Sequence, residues 1–309
     1  MTRYVCARDG TPIAYVDRAS RGPASAPALV FTSGFTASAF YWRHLLARLA
    51  DRARLVTWDL KGHGQSAPAR SLEAVTVEDS VDDLRRVLDA CGVERAVLVA
   101  FSLGCQVILE AWRHFPDRIA GVVPILGTFE RPFDHLLHPR VGPALYRVFR
   151  RAGPRVARVA LRAGWLQAQV PGTFRASRRL GLIGPRLREE DMAPFFAHMR
   201  RIHGRTWAHM GIAAQRHSAR DVLSTIAAPA LVVAGGRDTF TPPHLGEHMA
   251  RTIPDAELLF LPDATHTGLL EYPEEIGTRL EAWLEGRGLL PRRSGSQAAA
   301  RRAVGAAAG

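Results

Sequence analysis

From residue 26 to 127 the chain alternates short, continuous apolar runs with longer segments whose apolar residues recur every three or four positions. The runs ALVFT (28–32), RLVTWD (54–59), RAVLVAF (95–101) and IAGVVPIL (119–126) read as strands. They are apolar throughout rather than alternately, which predicts a parallel sheet covered on both faces. Between them, residues 38–50, 76–92 and 103–115 predict helices. In the second of these, Val77, Val81, Leu84, Leu88 and Cys91 share one helical face and Gly92 stops it. The opening MTRYVCARDGTPIAYVD reads as two strands turning at Asp9-Gly10.

The rhythm breaks near Gly127. From 131 to 217 no strong strand pattern occurs, and arginine-rich helical segments are punctuated by Pro139, Pro143, Pro154, Pro171, Pro185 and Pro194. After Gly153-Pro154, residues Val156, Val159, Ala160, Ala163 and Leu166 share one helical face, with Arg155, Arg158 and Arg162 opposite. The expectation is that the apolar face packs on the core and the basic face is solvated. The rival is a cationic amphipathic helix leaning on a membrane. Strand–helix alternation resumes with PALVVAGG (229–236), a helix near 243–252 and the strand AELLFLP (256–262). A last helix opens at Pro273-Glu274-Glu275, since proline and acids both suit a first turn. The expected organisation is an α/β core of 1–130 and 218–290, a helical insert of 131–217 and a disordered tail, 291–309. An insert at that point is placed to cover the carboxyl ends of the strands, where ligands bind in open α/β sheets.

Composition sharpens this only in places. A chain of 309 residues that is 47% hydrophobic can bury a large core. No apolar stretch reaches the roughly 18 residues of a membrane span, and no early apolar run suits a signal peptide. Three cysteines (Cys6, Cys91, Cys105), an odd number without metal spacing, point to reduced thiols in a cytoplasm. The formal charge of +12 invites a nucleic-acid reading. Yet Lys61 is the only lysine, and the segment 131–217 holds 17 Arg against four acidic residues, so the excess sits in the insert. Without a recognisable binding module, nucleic acid is not an expected partner. Arginine-biased usage is the first explanation, and weak association with an anionic lipid surface or acidic ligand the second.

The chemistry centres on AFSLGC (100–105). Ser102 lies where a buried strand passes into a helix, and a tight turn there lifts a serine above the sheet edge, with small residues two before and two after. The helix start and the Leu103 amide would face an oxyanion. An ordinary N-cap serine would occupy the same place. A serine hydroxyl is a weak nucleophile until a base takes its proton. Two more loops at the same edge carry Asp238, in GGRDTFTP, and His266, in DATHTGLLEYPEEI. The order Ser, Asp, His, each after a core strand, favours the nucleophile. The second oxyanion donor is expected from the Phe35 amide, in the loop after strand 28–32, where Gly34 lets the backbone turn closely. Asp263, on the histidine loop, is expected to satisfy local amides, and Glu130 is the substitute acid. His63, His114, His198, His203, His209 and His217 do not follow core strands and are assigned solvated or packing roles. One or two of the insert histidines are candidates to line the pocket, and Cys105 is expected to be a packing residue.

These residues give the chain a resemblance to the α/β-hydrolase superfamily, in its serine-nucleophile form with a helical cap. It covers nearly all of residues 4–287 and is weakest in the insert. It is carried by TSGF (32–35), DLKGHGQS (59–66), AFSLG (100–104), FPDRI (115–119), GGRDTFTP (235–242) and DATHTGLLEYPEEI (263–276). The resemblance implies Ser102 as nucleophile, His266 as base, Asp238 as its orienting acid and the Phe35 and Leu103 amides as the oxyanion hole, with no cofactor or metal. Three positions depart from the family pattern. Ala100 replaces glycine, Ser33 stands where histidine commonly precedes the glycine, and Thr265 stands where glycine often precedes the histidine. Members that open epoxides or haloalkanes use aspartate at the elbow, so serine points to acyl chemistry. The expected function is cleavage of apolar carboxylic esters through an acyl-enzyme. Lactone opening, carbon–carbon hydrolysis and cofactor-free perhydrolysis are the alternatives, and a non-catalytic ligand-binding homologue is the reading from another class.

Overall fold

The computed structural model describes residues 1–19, 26–136, 140–180 and 183–292. Its strands are β1 (Arg3–Cys6), β2 (Pro12–Arg18), β3 (Ala28–Thr32), β4 (Leu55–Trp58), β5 (Ala96–Phe101), β6 (Ile119–Ile125), β7 (Ala230–Gly235) and β8 (Ala256–Leu261). They form one sheet in the order β1-β2-β4-β3-β5-β6-β7-β8. The pairs β1/β2 and β2/β4 are antiparallel and the remainder parallel. Every residue of β3, β4, β5, β6 and β7 is buried, as the unbroken apolar runs require of strands covered twice. The first hairpin turns where predicted, with Gly10 at φ +78°.

The helices are, in chain order, α1 (Arg43–Leu49), α2 (Val77–Ala90), α3 (Gly104–His114), α4 (Pro132–His135), α5 (Val141–Ala168), α6 (Thr173–Arg179), α7 (Glu189–Met199), α8 (Gly204–Arg216), α9 (Pro243–Thr252), α10 (Gly268–Glu271) and α11 (Pro273–Gly286). Alternate residues of the strands feed two cores. Leu98 and Val122 pack with α2, α3 and α9 on one face, and Val97 and Val123 with α1 and α11 on the other. Thr76 starts α2 by accepting the Asp79 amide at 2.9 Å, with acids in the first turn. The helix expected over 38–50 begins instead as a 3₁₀ turn, Ala39–Trp42, before α1.

The segment between β6 and β7 folds as α4 to α8, so no strand interrupts it among the described residues. Its prolines interrupt less than expected. Pro143 falls in the first turn of α5, where no amide is needed, while Pro154 and Pro194 lie inside α5 and α7. The orientation of α5 corrects the expected packing. Val156, Val159, Ala160, Ala163 and Leu166 are all exposed, and the helix packs through Gly153, Ala157 and Leu161. Small residues win this face because they let backbones approach: a Cβ on Gly204 of α8 would lie 2.7 Å from the Arg158 nitrogen. The expected tail falls almost wholly outside the described residues. Among those described, no helix is long and apolar enough to cross a membrane.

Candidate active site

Strand β5 ends at Phe101, and α3 starts at Gly104, leaving two residues to reverse direction. Ser102 takes φ +55°, a conformation that a side chain adopts only when its surroundings hold it there. Its amide donates to the Ile125 carbonyl of β6 at 3.1 Å. Glycine at 104 is obligatory, since a Cβ there would sit 2.5 Å from the Thr32 carbonyl oxygen. Ala100 is fully buried in β5, in register with Thr32 and Pro124, and its methyl is accommodated.

The turn brings the Ser102 hydroxyl to 3.0 Å from His266 Nε2. His266 Nδ1 lies 2.8 Å from Asp238 Oδ2. The Asp238 side chain has no solvent exposure, against 18% for His266. Its other oxygen accepts the Phe240 and Thr241 amides, and Oδ2 also accepts the Thr241 hydroxyl, so this buried carboxylate is fully hydrogen-bonded. The imidazole lies between the rings of Phe101 and Phe240, each centred 5.1 Å away. The two expected loops therefore meet at the serine. Neither the substitute acid Glu130 nor Asp263 reaches it. Glu130 is engaged by Arg220 and Ser218, which hold its carboxyl below the usual range. Asp263 is exposed and faces Arg237 rather than local amides.

The loop after β3 approaches from the other side. A Cβ on Gly34 would lie 2.7 Å from the Ser102 Cβ, so the 34–35 peptide is pressed against the elbow. Among the described residues neither the Phe35 nor the Leu103 amide donates to another protein group. This loop has supports that the sequence reading missed. Ser33 accepts the Trp42 indole N–H at 3.0 Å, Thr32 that of Trp58 at 3.0 Å, and Thr36 that of Trp207, from α8, at 2.9 Å. His63, in DLKGHGQS, accepts the Thr36 amide on Nε2 at 3.3 Å while Nδ1 faces the Lys61 carbonyl at 3.0 Å. Those partners require the neutral ring protonated on Nδ1. Burial enforces neutrality by pushing the His63 pKa down to about 4. His63 is thus a strut of this loop, neither solvated nor mere packing. Its signal was present in the glycine-flanked loop 59–66, but its partner could not be read from sequence.

Thr265, the third departure, is also accounted for. Its amide and hydroxyl, together with the Thr267 hydroxyl, donate to the buried Glu271 carboxylate of α10, clasping the loop that carries His266.

Ser102 and His266 open into a cavity of about 500 Å³. Core residues Phe35, Tyr41 and Phe101 line one side. Phe133, Phe149, Phe195 and Trp207, from the helices between β6 and β7, line the other. Among the described residues no carboxylate, lysine or arginine lines it. A second cavity of about 460 Å³ among α5, α6 and α7 shares Ser177, Ile183, Met192 and Phe196 with the first. Among the described residues no insert histidine lines either cavity, contrary to expectation; His138 lies outside them. His198 is buried beside His63, His203 caps α8, His209 is half-buried on α8 with Nδ1 on the Arg205 carbonyl, and His217 pairs with Glu110, which also lies near the exposed His114. Cys105 is fully buried, as expected.

A family model described as alpha/beta hydrolase fold matches residues 27–273. The chain is 40% identical over 105 residues to epoxide hydrolase B of Mycobacterium tuberculosis; that match covers 33% of this chain and 29% of that protein, so less than a third of the relative's length is spanned. It is 25% identical over 257 residues to 3-oxoadipate enol-lactonase 1 of Acinetobacter baylyi, covering 82% of this chain and 87% of the other. A thermophilic esterase from Thermogutta terrifontis superposes with a TM-score of 0.70 at 23% identity, covering 93% of this chain and 99% of that one.

Proposed function

The chain belongs to the α/β-hydrolase fold family, and from that premise we propose that it is a serine hydrolase that cleaves apolar carboxylic esters through an acyl-enzyme. The observation that carries the reading is the relay from Ser102 through His266 to Asp238, opening on a cavity with no charged side chain among its described walls. His266 takes the serine proton as Oγ attacks the carbonyl carbon. Asp238 holds the imidazole tautomer and stabilises the imidazolium. The Phe35 and Leu103 amides receive the tetrahedral oxyanion, where each donor contributes about 3–4 kcal/mol to lowering the barrier. His266 then protonates the departing alkoxide. It next takes a proton from water as the water oxygen attacks the acyl carbon, and returns that proton to Ser102 Oγ as the acyl–Oγ bond breaks, releasing the acid and free Ser102. One imidazole carries every proton, so the cycle needs no metal or organic cofactor.

The helices between β6 and β7 act as the cap that shapes the substrate side of the cavity. Its aromatic lining suits an uncharged acyl or alkyl arm, and the adjoining cavity gives a long arm somewhere to extend. Epoxide opening through an enzyme ester needs a carboxylate at the elbow, where this chain has Ser102. Lactone opening is the second reading, favoured by the likeness to the enol-lactonase over most of both chains. The unpaired cysteines fit a reducing, cytoplasmic setting. The test is turnover of aryl esters of graded acyl length, with lactones alongside, by wild type and Ser102→Ala. Hydrolysis of uncharged esters that vanishes in the variant supports the reading. Equal turnover by the variant contradicts it.

A further inference from the structure

Helix α5 has three faces. Gly153, Ala157 and Leu161 point inward, and Phe149 and Trp165 reach the two cavities. A second face carries Val141, Leu145, Val148, Val156, Val159 and Leu166, all exposed, with Val148 at 64% and Val159 at 68%. At 100° per residue these six fall within roughly an 80° arc, a continuous stripe along a helix about 42 Å long. A third face, along one flank of the stripe, carries Arg147, Arg151, Arg155, Arg158 and Arg162, all exposed. The helix contains no acidic residue. Among the described residues none of these five arginines is in an ion pair, and nothing covers the stripe.

We propose that this face of α5 docks on an anionic lipid bilayer, the apolar stripe entering the interface and the arginine row pairing with the headgroups. The geometry is that of a helix lying in the plane of the membrane, not across it. Charge selects the occupant. A second copy laid antiparallel on the stripe would bring the two arginine rows together, and one laid parallel would set each row against a helix that has no carboxylate to pair with it. An anionic bilayer supplies an apolar phase and negative charge side by side. Docked this way, the bilayer lies on one side of α5 and the two cavities on the other.

The test is co-sedimentation of the full chain with vesicles of phosphatidylcholine alone, and of phosphatidylcholine and phosphatidylglycerol mixed, at low and physiological ionic strength. Wild type is expected in the pellet with the anionic vesicles only, with binding weakened by salt. Val148→Asp with Val159→Asp should abolish sedimentation. Arg151→Gln, Arg155→Gln and Arg158→Gln together should weaken it about a hundredfold, from roughly fivefold per arginine near an anionic surface. All variants should keep the wild-type melting curve and turnover of a soluble short-chain ester, because none of these positions lines a cavity. Wild type remaining in the supernatant with anionic vesicles overturns the proposal. So does undiminished sedimentation of the aspartate variant. A dimer that the aspartate variant dissolves, without vesicle binding, overturns it in favour of a second copy.

Discussion

Replacing Asp238 by asparagine reverses the hydrogen bond to His266, and with it the one that Oδ2 accepts from the Thr241 hydroxyl, while keeping the side chain's shape. In the native protein Oδ1 accepts the Phe240 amide at 2.8 Å and the Thr241 amide at 2.9 Å. Those two donors accept no substitute but an oxygen, so the asparagine carbonyl must take the Oδ1 place. Its NH₂ group is then forced into the Oδ2 place, 2.8 Å from His266 Nδ1. There it donates to Nδ1 and leaves the ring protonated on Nε2, the atom that faces the Ser102 hydroxyl at 3.0 Å. The imidazole becomes a donor to the serine and can no longer take its proton. The expected loss in kcat is about 10⁴-fold, the magnitude of tautomer reversal in a serine triad. That corresponds to roughly 5.5 kcal/mol of barrier at 1.36 kcal/mol per decade. KM should hardly move, because Asp238 does not line the cavity. The assay is initial-rate hydrolysis of a short-chain p-nitrophenyl ester, with thermal melting measured in parallel. Retention of more than about a tenth of wild-type kcat by a folded variant would refute the argument that Asp238 sets the tautomer.

Three further outcomes follow from contacts around the relay. His63→Gln should lower kcat by up to about 10²-fold, with the loop that carries the Phe35 amide displaced; a kcat within twofold of wild type would show that His63 does not position that loop. Because the folded-state pKa of His63 is depressed to about 4 from an ordinary 6.5, the unfolded chain binds the extra proton between those values. Its contribution to stability is therefore whole above pH 6.5 and is lost as pH falls towards 4, by about 3 kcal/mol at most. Asp59 and Asp83, pushed up by burial to about 6 and about 7, act in the opposite sense. The readout is thus the difference between wild type and His63→Gln in urea unfolding at pH 7 and pH 4.5, with the variant expected to lose less; equal losses would contradict the assignment. Glu271→Ala strips the acceptor from the Thr265 amide and from the Thr265 and Thr267 hydroxyls, all buried. It should destabilise by at least about 2 kcal/mol in urea unfolding, and an unchanged midpoint would show that the clasp holds nothing.

Legibility followed the kind of force at each place. The strands 28–32, 95–101 and 119–126 were readable because burial on both faces demands an unbroken apolar run, and β3, β5 and β6 match them within a residue. Ser102, Asp238 and His266 were readable because each follows a core strand, so one sheet edge gathers them. Helix α5 was misread for a physical reason. Periodicity locates an apolar face but not its partner, and the true packing face pairs one leucine, Leu161, with the small residues Gly153 and Ala157, which carry little hydropathy. The supports of the 32–36 loop were invisible because they are single long-range hydrogen bonds, from Trp42, Trp58, Trp207 and His63, that leave no periodic trace.

The central claim is that Ser102 is an activated nucleophile, and a fluorophosphonate probe with intact-mass and peptide readout measures this directly. The account predicts one adduct per chain, located on the peptide containing Ser102, lost in Ser102→Ala and strongly slowed in Asp238→Asn. Equal labelling of Ser102→Ala, or no labelling of wild type under conditions where it hydrolyses an ester, would contradict it.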